Sequence, residues 1–547
     1  MATSEPPRRN RRGRDPSSPG NGPGGGTEHD HRALARSSGG IAVLAGLGVL
    51  AGFLVDATMA ALFGANARTD AFFVAATIPF ALASLVLASV NQVIVPVVHR
   101  WFDEAGPDEA RRRVGGLLGT AVTASLLIGL VGALLAPVLP LVLAPGASAE
   151  TQRAASVMTA LLFTTVVTRV GAEILRSALN ARFSFQGPAA MPIVENGVVL
   201  GSIFLLHDRL GVTAVAVGYV AGGILQLGFV GALALRHHLV TMPSVAFRDP
   251  EIRAALRRFA LPLSGNGLTM LSRAVERFLA SFLPVGQITI LNYAWRLVNS
   301  IGGTVFFRSV VVALLPRLSA SRRDPTATGR TVSAGMRLMT LISLPLLAFV
   351  VVLAAPLVQA AFERGAFSPA DAAVFAVVIA VYALQFPFDA LTRVCMSYWF
   401  ARFNTRVPFW NVAIGVALDM AWAAILFAPF GLAGIAFGYV ISSVGYFLHG
   451  MWSIHRRVRL PLPPLAITAA KVSLASLAAA AAMSVLLRLL PEAVGTAAEL
   501  VRLAAPGVAG VVVLLVALSL LRFRLWEMLR PDRGVAGALE AEEAEGV

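Results

Sequence analysis

The chain has 547 residues, 56% hydrophobic and 14% charged, with a mean hydropathy of +0.73. A water-soluble fold needs a polar exterior that this composition cannot supply, so an ordinary soluble enzyme is excluded and a multi-pass membrane protein is expected. The charge of +15 comes from 45 basic and 30 acidic residues, all the basic ones being arginine except Lys471. In a soluble chain that excess would suggest nucleic acid, but its distribution along this chain decides otherwise. The one cysteine, Cys395, excludes disulfides and any CxxC metal or redox site.

Residues 1–37 are rich in Gly, Pro, Ser and Arg and read as a disordered, basic, cytosolic tail beside anionic lipid. The first apolar run is too long for the core of a signal peptide and has no cleavage site before the next span. The arginine pairs stand too far from it for a twin-arginine signal. About fourteen apolar segments follow, near 39–63, 70–98, 114–145, 152–180, 188–206, 211–235, 255–283, 287–316, 331–361, 370–400, 408–428, 431–454, 464–491 and 498–521. If the tail is cytosolic, one set of loops holds Arg111-Arg112-Arg113, Arg248 with Arg253, Arg257 and Arg258, Arg317 with Arg322 and Arg323, and Arg456-Arg457-Arg459. The opposite set holds little beyond Arg68, Arg153, Arg209 and Arg364. This positive-inside asymmetry orients a membrane protein with both termini cytosolic, and it argues against a nucleic-acid partner.

The chain matches itself at a shift of 220 residues. Ala181-Arg182-Phe183 returns as Ala401-Arg402-Phe403, Pro188 as Pro408, Gly211 as Gly431, and Gly218-Tyr219-Val220 as Gly438-Tyr439-Val440. Gly146-Ala147 is echoed near the same shift by Gly365-Ala366. Six segments per repeat is an even number, so the two halves share an orientation. The expected organisation is repeat 1 over 38–247, repeat 2 over 248–460, two extra helices over 461–523 and a cytosolic tail over 524–547. Parallel repeats of this kind are a transporter plan, with a site between the halves. A duplicated assembly scaffold is the alternative.

Ionisable groups at membrane depth need a partner or a wet cavity. Arg273, Glu276 and Arg277 lie on one helical face. Arg296 has Asn299 one turn later, and Asp56 is the repeat mate of Glu276. Arginines at this depth suit a diphosphate, which a guanidinium can grip with two bonds. Mutual pairing of Arg273 or Arg277 with Glu276 is the competing reading. Arg169 with Glu173, and Asp389 with Arg393, are spaced as internal salt bridges, while Glu195 and Asp419 have no local partner. No GxSxG elbow or Walker A motif is present, so the chain reads as a transporter rather than an enzyme, without a cofactor or a metal centre.

Particular stretches resemble one family. They are Thr69-Asp70-Ala71-Phe72-Phe73-Val74-Ala75, Val275-Glu276-Arg277-Phe278-Leu279-Ala280-Ser281, Leu291-Asn292-Tyr293-Ala294-Trp295-Arg296-Leu297, Leu315-Pro316-Arg317 and Arg364-Gly365-Ala366-Phe367. Over about residues 40–460 the chain is similar to the MurJ (MviN) lipid II flippases, within the multidrug and polysaccharide-lipid exporters. The resemblance implies fourteen helices around a central cavity. It also implies movement of an undecaprenyl-diphosphate-linked glycan from the cytosolic to the outer leaflet of the bacterial inner membrane, for peptidoglycan synthesis. It assigns Arg296 and Asp56 to substrate binding, and Glu276 and Asp419 to a coupling cation, Na⁺ or H⁺. Other cavity arginines of the family fall on Val49, Val55, Ala83 and Ser84, and its segment 8 acid on Asn299. Arg273 and Arg277 are the residues that could supply the missing charge. Membrane lipids and cell-wall synthesis proteins are the expected partners. Export of another lipid-linked saccharide, or cation-coupled drug export, keeps the plan and changes the cargo.

Overall fold

The computed structural model describes residues 25–522, apart from 183, 259, 459 and 492–494. Among the described residues it is helical throughout, as a chain in lipid must be when its backbone groups have no water to bond. The first half comprises α1 (Gly25–Phe63), α2 (Ala67–Glu104), α3 (Pro107–Leu135), the short α4 (Leu139–Leu143), α5 (Ala149–Ala181), α6 (Gln186–Leu210) and α7 (Thr213–Arg236). A connecting helix, α8 (Pro250–Arg258), leads to α9 (Ala260–Ala280) and α10 (Gln287–Asn299). A π-helical segment, Ser300–Phe307, joins α10 to α11 (Arg308–Ala320). Then come α12 (Pro325–Ala361), α13 (Pro369–Ala383), α14 (Phe386–Phe400), α15 (Arg406–His455), α16 (Leu462–Leu489) and α17 (Thr496–Leu520).

Local chemistry fixes where these helices start. Asn66 caps α2, its side chain accepting from the backbone N–H groups of Arg68 and Thr69 while the Thr69 hydroxyl accepts from Asn66 N. Ser148, Asp324 and Ser368 cap α5, α12 and α13 in the same way. The first helix begins at Gly25, inside the stretch expected to be a tail, since each residue added to an existing helix gains a bond at little further cost. Residues 1–24 and the expected tail over 524–547 lie outside the described residues.

Among the described residues, eleven helical stretches are long and apolar enough to cross a membrane, and α10 with α11, bent by 44°, makes a twelfth if the pair is one span. Two features separate this from the expected fourteen. The stretch α15 is two helical arms joined at a kink at Gly431, one for each of two expected segments, and α9 carries Arg273, Glu276 and Arg277, which lower its apolarity.

The repeat is visible in the backbone. Gly211, between α6 and α7, has φ +54° and ψ −137°. Gly431, 220 residues on, has φ +55° and ψ −132°. Both lie in a left-handed region that strains any residue with a Cβ. In the first half α2 and α3 pack on α5, and α1 on α6; in the second α9 packs on α15 and α12 on α13 and α14, with α16 and α17 paired against α12. The halves meet where α2 faces α9 and α10. They are also tied by a reciprocal exchange at the arginine-poor end. Ala366 N donates to Ala61 O at 2.8 Å, and Gly146 N to Ser281 Oγ at 3.2 Å. Ala61 and Ser281 are themselves 220 residues apart. The approach at Gly365 is so close that a Cβ there would lie 2.2 Å from Ala61 O.

Candidate functional site

Between the halves lies a cavity of about 590 Å³, bounded by α2, α5, α6 and α7 on one side and by α9, α10 and α15 on the other. Its volume is that of a site for a small ligand or for part of a larger one. Three of the arginines expected at membrane depth, Arg273, Arg277 and Arg296, line it.

Each of the three has a different partner. Arg296 Nη1, on α10, stands 2.9 Å from Asp56 Oδ1, on α1, so this ion pair joins the two halves. Tyr219 lines the cavity together with Arg296. Arg273 places Nη1 at 3.0 and 2.7 Å from the two oxygens of Glu276, the mutual pairing that the helical spacing allowed. Its guanidinium lies 4.1 Å from the centre of the Trp295 ring and 4.8 Å from that of Tyr439. Arg277 Nη2 donates to the neutral amide oxygen of Asn292 at 2.6 Å, and its Nε is buried with no hydrogen-bond partner. Arg277 thus brings charge to the cavity wall with donor capacity left over.

The two expected coupling carboxylates sit behind that wall. Glu276 is 3% exposed and Asp419 1% exposed. Asp419 accepts a bond from Ser272 Oγ through one oxygen, while Oδ1 is buried without a hydrogen-bond partner. Among the described residues there is no cluster of three or more His, Cys, Asp or Glu able to hold a metal ion. Both Glu276 oxygens are already paired with Arg273, so a cation here would have to displace that guanidinium. Asn299 is not brought to the site: its amide donates to Trp295 O at 3.0 Å, just before the helix widens into its π segment.

One sequence expectation is corrected. Arg169 and Glu173 do not pair with each other. Glu173 binds Arg176 on its own helix, and Arg169 Nη2 reaches across to Glu195 on α6 at 2.5 Å. The longer reach wins because Glu195 lines the cavity with Arg169, whose guanidinium rests 4.5 Å from the Phe80 ring centre and 5.7 Å from that of Tyr219. The Asp389–Arg393 pair forms within its helix as expected, at 3.0 Å. Sequence reasoning missed Arg169 and Glu195 as cavity residues. It also missed the tyrosines beneath the guanidiniums, although Tyr219 and Tyr439 stand in the repeated Gly-Tyr-Val motif.

Two repeated helical bodies enclosing a polar, arginine-bearing cavity define a multi-pass membrane transporter. The backbone is similar to that of a lipid II flippase MurJ solved in an inward closed conformation, with a TM-score of 0.74, 20% identity, and coverage of 88% of this chain and 98% of that one. An inward-facing MATE transporter of the MOP superfamily shares the fold at a TM-score of 0.62 and 14% identity, over 75% of this chain and 95% of that one. A probable lipid II flippase MurJ of Aquifex aeolicus is 26% identical over 416 residues, covering 75% of this chain and 81% of its own length. One from Rhizobium meliloti is 27% identical over 445 residues, covering 77% and 82%. The family profile described as lipid II flippase MurJ matches residues 59–504. The chain belongs to the MurJ family of lipid II flippases.

Proposed function

We propose that this protein flips lipid II, or a closely similar undecaprenyl-diphosphate-linked glycan, from the cytosolic to the outer leaflet of a bacterial inner membrane, supplying cell-wall synthesis. The observation that carries this reading is the wall of three arginines on α9 and α10, facing a cavity between two repeats in a chain of the MurJ family. A diphosphate accepts several hydrogen bonds and carries concentrated negative charge. Arg277, held only by an amide, meets it first, and Arg296 and Arg273 can exchange their carboxylate partners for phosphate oxygens. Displacing Asp56 from Arg296 removes an ion pair between the halves, so binding would loosen the arrangement it finds.

With both termini cytosolic, the arginine-rich loops face the cytosol, and the contacts at Ala61, Gly146, Ser281 and Ala366 close the outer side. Transport by alternating access then needs those contacts to part while the cytosolic side closes. Glu276 and Asp419 would couple that movement to Na⁺ or H⁺, which would neutralise Glu276 when Arg273 leaves it for the diphosphate.

The test is flipping of fluorescent lipid II in vesicles holding the full-length protein. Wild-type protein should expose the lipid to a membrane-impermeant quencher, and Arg277→Gln should slow this at least tenfold while the protein stays folded. Wild-type vesicles that leave lipid II in its original leaflet would reject the proposal.

A further inference from the structure

The cavity has a second polar station, on the wall of the first half. Arg169 and Glu195 are partly buried there, with side chains 23% and 13% exposed, and form an ion pair across two helices. The pair is electrically balanced, which distinguishes it from the arginines opposite. It is also incompletely bonded: Arg169 Nε is buried with no hydrogen-bond partner. The Asn196 amide and the Ser84 hydroxyl line the cavity beside it. The station therefore offers donors and acceptors side by side and no net charge.

That chemistry is wrong for a phosphate, which only accepts hydrogen bonds and would be repelled by Glu195. It suits a sugar, whose hydroxyl and amide groups both donate and accept. Tyr219 lies between the two stations: its ring is 5.7 Å from the Arg169 guanidinium, and it lines the same cavity as Arg296. A ligand holding its diphosphate at Arg277 and Arg296 would carry the directly attached sugar past Tyr219 toward Arg169 and Glu195.

We infer that Arg169 and Glu195 form a saccharide subsite, which recognises the sugar joined to the diphosphate while the arginines of α9 and α10 hold the diphosphate itself. This rests on the flippase reading and divides its ligand between two walls. Removing hydrogen bonds made by charged groups at a partly buried site lowers affinity about tenfold or more.

The experiment measures binding of two lipids, lipid II and undecaprenyl diphosphate, to full-length protein in nanodiscs. Glu195→Gln and Arg169→Met should each weaken lipid II binding about tenfold and leave undecaprenyl diphosphate binding unchanged, whereas Arg277→Gln should weaken both. Thermal melting confirms that each variant is folded, and Asn196→Ala, which breaks no ion pair, gives a second reading of the same subsite. Equal weakening of both lipids, or of neither, by the folded Arg169 and Glu195 variants would overturn the subsite. Wild-type protein that binds neither lipid would instead overturn the flippase reading, and the subsite with it.

Discussion

Thr69 and Thr289, 220 residues apart in the chain, share a hydrogen bond between their hydroxyls at 3.0 Å. Residues related by a two-fold operation touch each other only beside its axis, so this contact marks where the pseudo-axis of the repeat passes, at the arginine-poor ends of α2 and α10. The surroundings are not symmetric. The cap of α2 is Asn66, but its repeat mate is Gly286, which has no side chain to offer α10. Asp70 of the first half reaches across instead, accepting from Gly286 N at 2.7 Å, Thr289 N at 2.8 Å and Thr289 Oγ1 at 2.6 Å. The helix that carries Arg296 is thus capped by the opposite half.

A disulfide engineered at this axis should lock the halves. Cys395 is fully buried and is the chain's one native cysteine, so Thr69→Cys with Thr289→Cys can be oxidised without background. Oxidation should stop flipping and reduction should restore it. Unchanged flipping with the disulfide demonstrably formed would mean that this end does not open during transport.

Asp70→Ala should destabilise the protein by about 1–3 kcal/mol, because it leaves the first N–H groups of α10 without an acceptor in a buried place. Thermal melting in detergent reads this. Asp70→Asn, which keeps one acceptor oxygen, should lose less.

The Asp56–Arg296 pair should show strong coupling in a double-mutant cycle. Either single change to alanine leaves an unpaired charge at membrane depth, worth about 3–5 kcal/mol when a pair is fully buried. Arg296 is about one-third exposed to the cavity, so the loss here should fall below that range. Asp56→Ala together with Arg296→Ala should lose less stability than the sum of the single changes. Simple additivity would show that the pair does not tie the halves.

If Glu276 and Asp419 hold Na⁺, adding Na⁺ should stabilise the wild-type protein by mass action, by about 2.7 kcal/mol at a hundred times the dissociation constant, and so raise its melting temperature. Asp419→Asn should abolish that rise. A proton-coupled site would show no Na⁺ effect in either protein and a dependence of flipping on an imposed pH gradient.

The sequence by itself determined the solvent and the duplication. Hydropathy reads out membrane residence because lipid tolerates little else. The offset of 220 survives at positions where backbone geometry permits few substitutes, as Gly211 and Gly431 show with nearly identical dihedrals. Charges paired within a helix were half legible: Asp389–Arg393 and Arg273–Glu276 form as their spacing allowed, because neighbours one turn apart are neighbours in any fold. Only the tertiary structure decided the rest. Arg169 abandons Glu173 for Glu195, Arg296 finds Asp56 in the other half, and Asp70 caps a helix more than two hundred residues away. Each of these depends on which helix packs beside which, and a buried charge takes the partner that the packing brings to it, which no spacing along a single helix records.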